Sequence, residues 1–106
     1  MSLETEAKEL SADSVLSDEI SPEGVTVVDY YKDGCGPCKM ISPFMDQLAK
    51  IEGVKVIKVN GEVHSQLAFS EGISTVPTLH FYKDGEMVKS SGPAPIHVLK
   101  NIIQSL

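Results

Sequence analysis

Seven consecutive residues, Val25–Tyr31 (VTVVDYY), place the tightest limit on how this chain can fold. They are β-branched and aromatic, which suits an extended strand. Their apolar character is continuous rather than alternating, so neither face of the strand can be left to water. The run is expected to form a central strand covered on both sides. One residue breaks the pattern: Asp29 puts a carboxyl group where burial is costly.

The neighbouring elements follow from periodicity. Upstream, residues 1–9 form an acidic segment, and Glu4–Leu10 fits a short edge strand. Ser11 is placed to N-cap a helix carrying Val15, Leu16 and Ile20, closed by Ser21-Pro22-Glu23-Gly24. Downstream, Lys32–Gly36 is a loop by composition. Pro37 suits the first turn of a helix expected to run to about Ile51. Pro43 falls inside the apolar period of that helix and predicts a kink rather than an end. Val54–Val59 predicts a second strand, Asn60-Gly61 a turn, and His64–Glu71 a short helix stopped by Gly72. Thr78–Tyr82 and a segment near Glu86–Ser90 predict a hairpin across Asp84-Gly85. Gly92, Pro93 and Pro95 break the chain before a C-terminal helix with Ile96, Leu99, Ile103 and Leu106 on one face. Met40, Phe44, Met45 and Phe69 are at helical spacing and are expected in the core. Alternating elements followed by a hairpin give an α/β fold, a mixed sheet of four to five strands with about four helices over both faces.

Length and charge narrow the function. The 106 residues suffice for one domain and one hydrophobic core. Net charge is −6, and it is concentrated: residues 1–24 carry seven acids against Lys8 alone, whereas eight lysines and eight acids balance from Val25 onward. There is no arginine, and the six tyrosine and phenylalanine rings do not interleave with lysines. A nucleic-acid groove needs a basic patch with stacking rings, so nucleic acid is excluded as the expected partner. No apolar run approaches the roughly 20 residues that span a bilayer, so no membrane association is expected. The acidic start offers no secretory signal, which makes the cytoplasm the expected compartment. No GxGxxG or P-loop is present to hold a nucleotide.

Two cysteines remain, Cys35 and Cys38. A bridge closing so short a loop removes little entropy from the unfolded chain, so a stabilising role is not expected. Cytosolic thiols are also normally kept reduced. Zinc needs four ligands, and His64, His80 and His97 show no spacing that pairs with the cysteines; no role is expected for them. The placement of Cys35-Gly36-Pro37-Cys38 at a strand-to-helix junction has a physical meaning. A helix N-terminus presents free N–H donors and the positive end of the dipole, which favour a thiolate. Cys35, just outside the helix, is placed to be exposed and activated. Cys38, one turn in, is placed to be buried and to attack a mixed disulfide formed by Cys35.

The segment Val27–Phe44, with its Cys35-Gly36-Pro37-Cys38 core, resembles the active-site segment of the thioredoxin family. Val59-Asn60, Thr75-Val76-Pro77-Thr78, Lys83-Asp84-Gly85-Glu86 and Gly92 follow in family order, so the resemblance extends from about Leu10 to Leu106. It implies the thioredoxin fold, a three-layer α/β/α sandwich, and a thiol–disulfide oxidoreductase that reduces protein disulfides. Cys35 would attack and Cys38 resolve; no cofactor would be bound beyond the redox-active Cys35–Cys38 disulfide. Asp29 would be the buried proton acceptor for Cys38, unless it is a strand-end carboxylate reaching water. Lys58 would hold the charge of Asp29, unless it is a solvated strand lysine. Pro77 would follow a cis bond opposite the disulfide, leaving Val76 free to pair with an extended substrate. Gly36, Pro37, Val76, Pro77 and Gly92 would make the docking rim, although Gly92 also suits a plain loop. The implied partners are a thioredoxin reductase-like electron donor and disulfide-containing substrate proteins, met by a monomer.

Two departures stand out. The family usually carries tryptophan immediately before the first cysteine, where this chain has Gly34, and Asn60-Gly61 lacks the acid common just after that asparagine. Both bear on partner choice and leave the two thiols intact. Two other functions fit the same fold: a disulfide oxidase or isomerase, against which Gly36-Pro37 argues, and a docking module without redox chemistry, against which the intact cysteine pair argues.

Overall fold

A computed structural model describes residues 6–106. The part of the expected edge strand that falls on Glu4 and Thr5 lies outside the described residues. The elements are β1 (Lys8–Glu9), β2 (Val25–Tyr31), α1 (Gly36–Ala49), β3 (Val54–Asn60), α2 (Ser65–Ser70), β4 (Thr78–Lys83), β5 (Glu86–Ser91) and α3 (Ile96–Gln104). The five strands form one mixed sheet in the order β1-β3-β2-β4-β5. The β1–β3 and β3–β2 pairs are parallel; β2–β4 and β4–β5 are antiparallel. The VTVVDYY run is the middle strand, paired on both edges.

Alternation along the strands builds the two outer layers. Val25 and Val27 of β2, Val54 and Val56 of β3, and Leu79 and Phe81 of β4 point to one face. There they pack against Ile41, Met45 and Leu48 of α1 and Leu99 and Ile103 of α3. Val28 and Tyr30, Ile57 and Val59 point to the other face, packing against Ala68 of α2 and against Leu10 and Leu16. Asp29 and Tyr31 continue the α1 face of β2, and Lys58 continues that of β3. The β4–β5 turn has positive φ at both Asp84 (51°) and Gly85 (90°), the geometry a two-residue hairpin needs to match strand twist.

Helix α1 continues through Pro43, as its apolar period predicts. Three expectations fail. No α-helix forms after Ser11: the Ser11 carbonyl accepts from the Ser14 amide, its hydroxyl bonds the Ser14 hydroxyl, and only a 3-10 turn over Leu16–Asp18 follows. The segment is too short and too rich in Ser and Asp to nucleate a helix. It is held instead by buried Leu10 and Leu16, and by Glu19, which pairs with Lys8 at 2.9 Å and Lys55 at 3.3 Å. The described helices are therefore three plus that turn, rather than about four. Second, Met40 and Phe69 are 74% and 87% exposed. Each is apolar but lies off the helix face that its neighbours Ile41 and Ala68 turn to the sheet. Third, His64 has a structural role, donating from Nε2 to the Leu10 carbonyl at 3.2 Å.

Met45→Ala and Leu99→Ala each empty a fully buried site and are expected to cost about 2–5 kcal/mol. Met40→Ala and Phe69→Ala are expected to stay within about 0.5 kcal/mol of the parent. Urea unfolding midpoints at constant slope separate the two groups.

Candidate active site

The site is built where β2 hands over to α1. Cys35 is extended (φ −85°, ψ 112°) and serves as the N-cap, so the helix starts at Gly36 with Pro37 in its first turn. The Cys38 amide donates to Cys35 Sγ at 3.2 Å, and the Lys39 amide to the Cys35 carbonyl at 3.2 Å. The sulfur thus receives one of the N–H groups that a helix start leaves without an intrahelical partner. That donor and the dipole stabilise negative charge on Cys35 once the bond is reduced. The two cysteines are joined in a disulfide with Cα atoms 5.2 Å apart. Cys35 is half-buried, whereas Cys38 is buried under the first helical turn.

Gly34 precedes the pair at φ +78°, with nothing within 4 Å of the position a Cβ would take. The glycine is therefore required by backbone conformation and not by space. On the far side, the Val76–Pro77 peptide bond is cis, and the Val76 carbonyl oxygen lies 3.8 Å from Cys35 Sγ. Gly36 and Pro37 are exposed, Val76 is half-buried and Pro77 buried. Gly92 is exposed in the connection between β5 and α3, where its carbonyl accepts from the Ser91 hydroxyl at 2.9 Å; no described hydrogen bond joins it to the cysteines.

Beneath Cys38 lies a cavity of about 270 Å³ lined by Asp29, Tyr31, Lys32, Asp33, Gly34, Cys38, Lys39, Ser42 and Lys58. Asp29 is 1% exposed and its Oδ1 is buried with no hydrogen-bond partner. Burial pushes its carboxyl up to about 6, against a pull downward from Lys58 and a smaller push upward from Glu9. Asp29 pairs in register with Lys58 on β3, and Lys58 with Glu9 on β1, so the three charged residues form one row across the sheet. Lys58 does not bond Asp29 directly: its ammonium donates to Ser42 Oγ at 3.1 Å and sits 5.0 Å from the centre of the Tyr31 ring. Ser42 was not anticipated as part of the site. Its position four residues after Cys38, on the same helical face, is the signal that could have found it. Among the described residues no cluster of three or more His, Cys, Asp or Glu could hold a metal ion.

A redox-capable dithiol at a helix N-terminus, on a mixed sheet with this strand order, defines a thioredoxin-fold thiol–disulfide oxidoreductase. The thioredoxin family model matches residues 6–105. The thioredoxin of Bacillus subtilis is 35% identical over 96 residues, covering 88% of this chain and 91% of its own. The structure of a mutant thioredoxin from Halobacterium salinarum superposes with a TM-score of 0.90 at 32% identity, over 99% of this chain and 94% of that one. A thioredoxin f2 in complex with ferredoxin:thioredoxin reductase gives 0.81 at 25% identity, over 98% and 97% of the two chains. The chain belongs to the thioredoxin family.

The raised carboxyl makes stability depend on pH. Between its unperturbed 3.8 and about 6, folded Asp29 keeps a proton that the unfolded chain has released. The folded state binds more protons there, so this group's contribution falls as pH rises through that window. At about 1.4 kcal/mol per pH unit the penalty above pH 6 is about 3 kcal/mol. Asp29→Asn is expected to stabilise the oxidised protein by up to that amount at pH 7 and to lose the advantage below pH 4, as chemical denaturation at the two pH values would show. Gly34→Ala forces a side chain into the left-handed region, and its unfolding free energy is expected to drop by about 1 kcal/mol in the same assay.

Proposed function

We propose that this chain is a cytoplasmic dithiol carrier that reduces disulfides in other proteins, passing electrons on and so contributing to cellular redox homeostasis. The observation that carries the reading is the Cys35–Cys38 disulfide at the start of α1, with Cys38 and the buried carboxyl of Asp29 lining one cavity. In the reduced protein the Cys35 thiolate attacks one sulfur of a substrate disulfide. A mixed disulfide forms and the first substrate thiolate leaves. Cys38 then gives its proton to the Asp29 carboxylate and attacks Cys35 Sγ. The Cys35–Cys38 bond closes, the second substrate thiolate leaves, and two electrons have passed to the substrate. The cavity between Cys38 and Asp29 is large enough for water that could relay the proton. A carboxyl held near 6 suits that transfer at neutral pH, since an effective base has its pKa near the working pH.

Gly36, Pro37, Val76, Pro77 and Gly92 form the proposed docking rim, and Lys58 tunes Asp29 by its charge. Substrate would lie as an extended chain along Val76, in the manner of strand addition. The open surface around Gly34 supports a choice of partners that differs from that of relatives with a ring there. The relative in complex with ferredoxin:thioredoxin reductase supports a reductase of that general type as electron donor. A single domain acting as a monomer suffices for this chemistry, because Cys35, Cys38 and Asp29 all come from one chain. Among the described residues no helix is long and apolar enough to cross a membrane.

Cys38→Ser is expected to accumulate a mixed disulfide through Cys35 when mixed with disulfide-bonded proteins, seen as a reductant-sensitive band on gels. The parent dithiol is expected to titrate near −270 mV, as thioredoxins do. A potential above about −200 mV would make it an oxidant or isomerase, and unchanged binding by Cys38→Ser without trapping would make it a docking module.

A further inference from the structure

The row Glu9–Lys58–Asp29 brings an ammonium beside a buried carboxyl, yet the two do not pair. Asp29 Oδ1 has no hydrogen-bond partner, and the Lys58 ammonium goes to Ser42 Oγ and the Tyr31 ring instead. An unpartnered carboxyl in a low-dielectric pocket is the strongest attractor for a nearby cation. Something therefore has to hold the lysine away. The half-buried Ser42 hydroxyl is the one oxygen given to that ammonium among the described hydrogen bonds. It projects from the second turn of α1, on the face that carries Cys38.

We propose that Ser42 is a positioning residue: its hydroxyl, with the Tyr31 ring, holds the Lys58 ammonium off Asp29 and so leaves the carboxyl free to exchange a proton with Cys38. The inference rests on reading Asp29 as the proton acceptor. With a direct lysine partner the carboxylate would be locked in its charged form and would be a weaker base. Held one contact away, the ammonium only moderates the effect of burial. Two charged groups act on Asp29 in this balance, Lys58 from β3 and Glu9 from β1, while Lys39 from α1 and Lys32 and Asp33 from the loop line the same cavity. Strand β4 contributes only Leu79 in register and no charge.

The test is the titration of Asp29, followed by the NMR shift of its carboxyl carbon in the oxidised, full-length protein. In Ser42→Ala the released ammonium is expected to close on Asp29 and lower the midpoint by about one pH unit. Ser42→Thr keeps a hydroxyl and is expected to restore the parent midpoint. In a Lys58→Met background, Ser42→Ala is expected to have no effect on it, which ties the effect to the lysine. An unchanged or raised midpoint in Ser42→Ala, or an equal fall in Ser42→Thr, would overturn the proposal. The pH profile of disulfide reduction by Asp29→Asn is measured separately. If that profile matches the parent, Asp29 is not the proton acceptor, while the effect of Ser42 on the titration is still judged on its own data.

Discussion

A carboxyl group buried on the middle strand of a sheet is the constraint around which this site is organised. Asp29 sits on the α1 face of β2, in the row where Val25 and Val27 would continue as core. An apolar residue there would pack better, and the carboxyl can be tolerated only with a cavity around it and a cation within reach. Both are present. The cavity lies under Cys38, and the cation comes from the same row of the adjacent parallel strand. Register follows from this constraint: moving β3 by one residue would send Lys58 to the opposite face and leave Asp29 without its moderating charge.

The chemistry of the junction is carried by its backbone. The polarity of the Cys35 sulfur is set by backbone: an extended N-cap, a helix that begins at Gly36, and the Cys38 amide pointing at Sγ. None of this depends on the side chain at position 34. Gly34 adds no side chain beside the pair: its φ is positive and nothing lies within 4 Å of the position a Cβ would take. Under the proposed function, partner choice would be set on this open side of the pair, apart from the dithiol exchange at the helix start.

Legibility in the sequence tracked how strongly each signal was tied to burial. Val25–Tyr31, the Pro43-containing helix, the Asp84-Gly85 turn and the C-terminal helix were readable because period and turn chemistry agree with the layer each occupies. The helix expected after Ser11 was not there, since a short segment rich in Ser and Asp does not nucleate one even with Val15, Leu16 and Ile20 in it; tertiary anchors at Leu10, Leu16 and Glu19 hold the segment. Phe69 and Met40 misled for the opposite reason: large apolar side chains were assigned to a face their helices do not bury. In the site, the cysteine pair and Asp29 were marked by residue type and position. Ser42 carried no such mark. A serine in a helix is unremarkable until the fold brings a lysine from another strand to its hydroxyl.

The same reasoning explains why Lys58 is neither a solvated strand lysine nor a simple salt-bridge partner. A surface lysine would be worth little to a carboxyl shielded by the sheet, because water screens it. A fully paired one would fix the carboxyl in a single protonation state. Donation to Ser42 and the place over the Tyr31 ring engage the ammonium away from Asp29, so its charge pulls the carboxyl downward without a direct bond. Burial pushing upward and an offset positive charge pulling downward leave the carboxyl at about 6, and in the proposed mechanism a proton then moves between Asp29 and Cys38 in either direction. A carrier that must be both oxidised and re-reduced needs that reversibility in its acid–base partner as much as in its sulfurs.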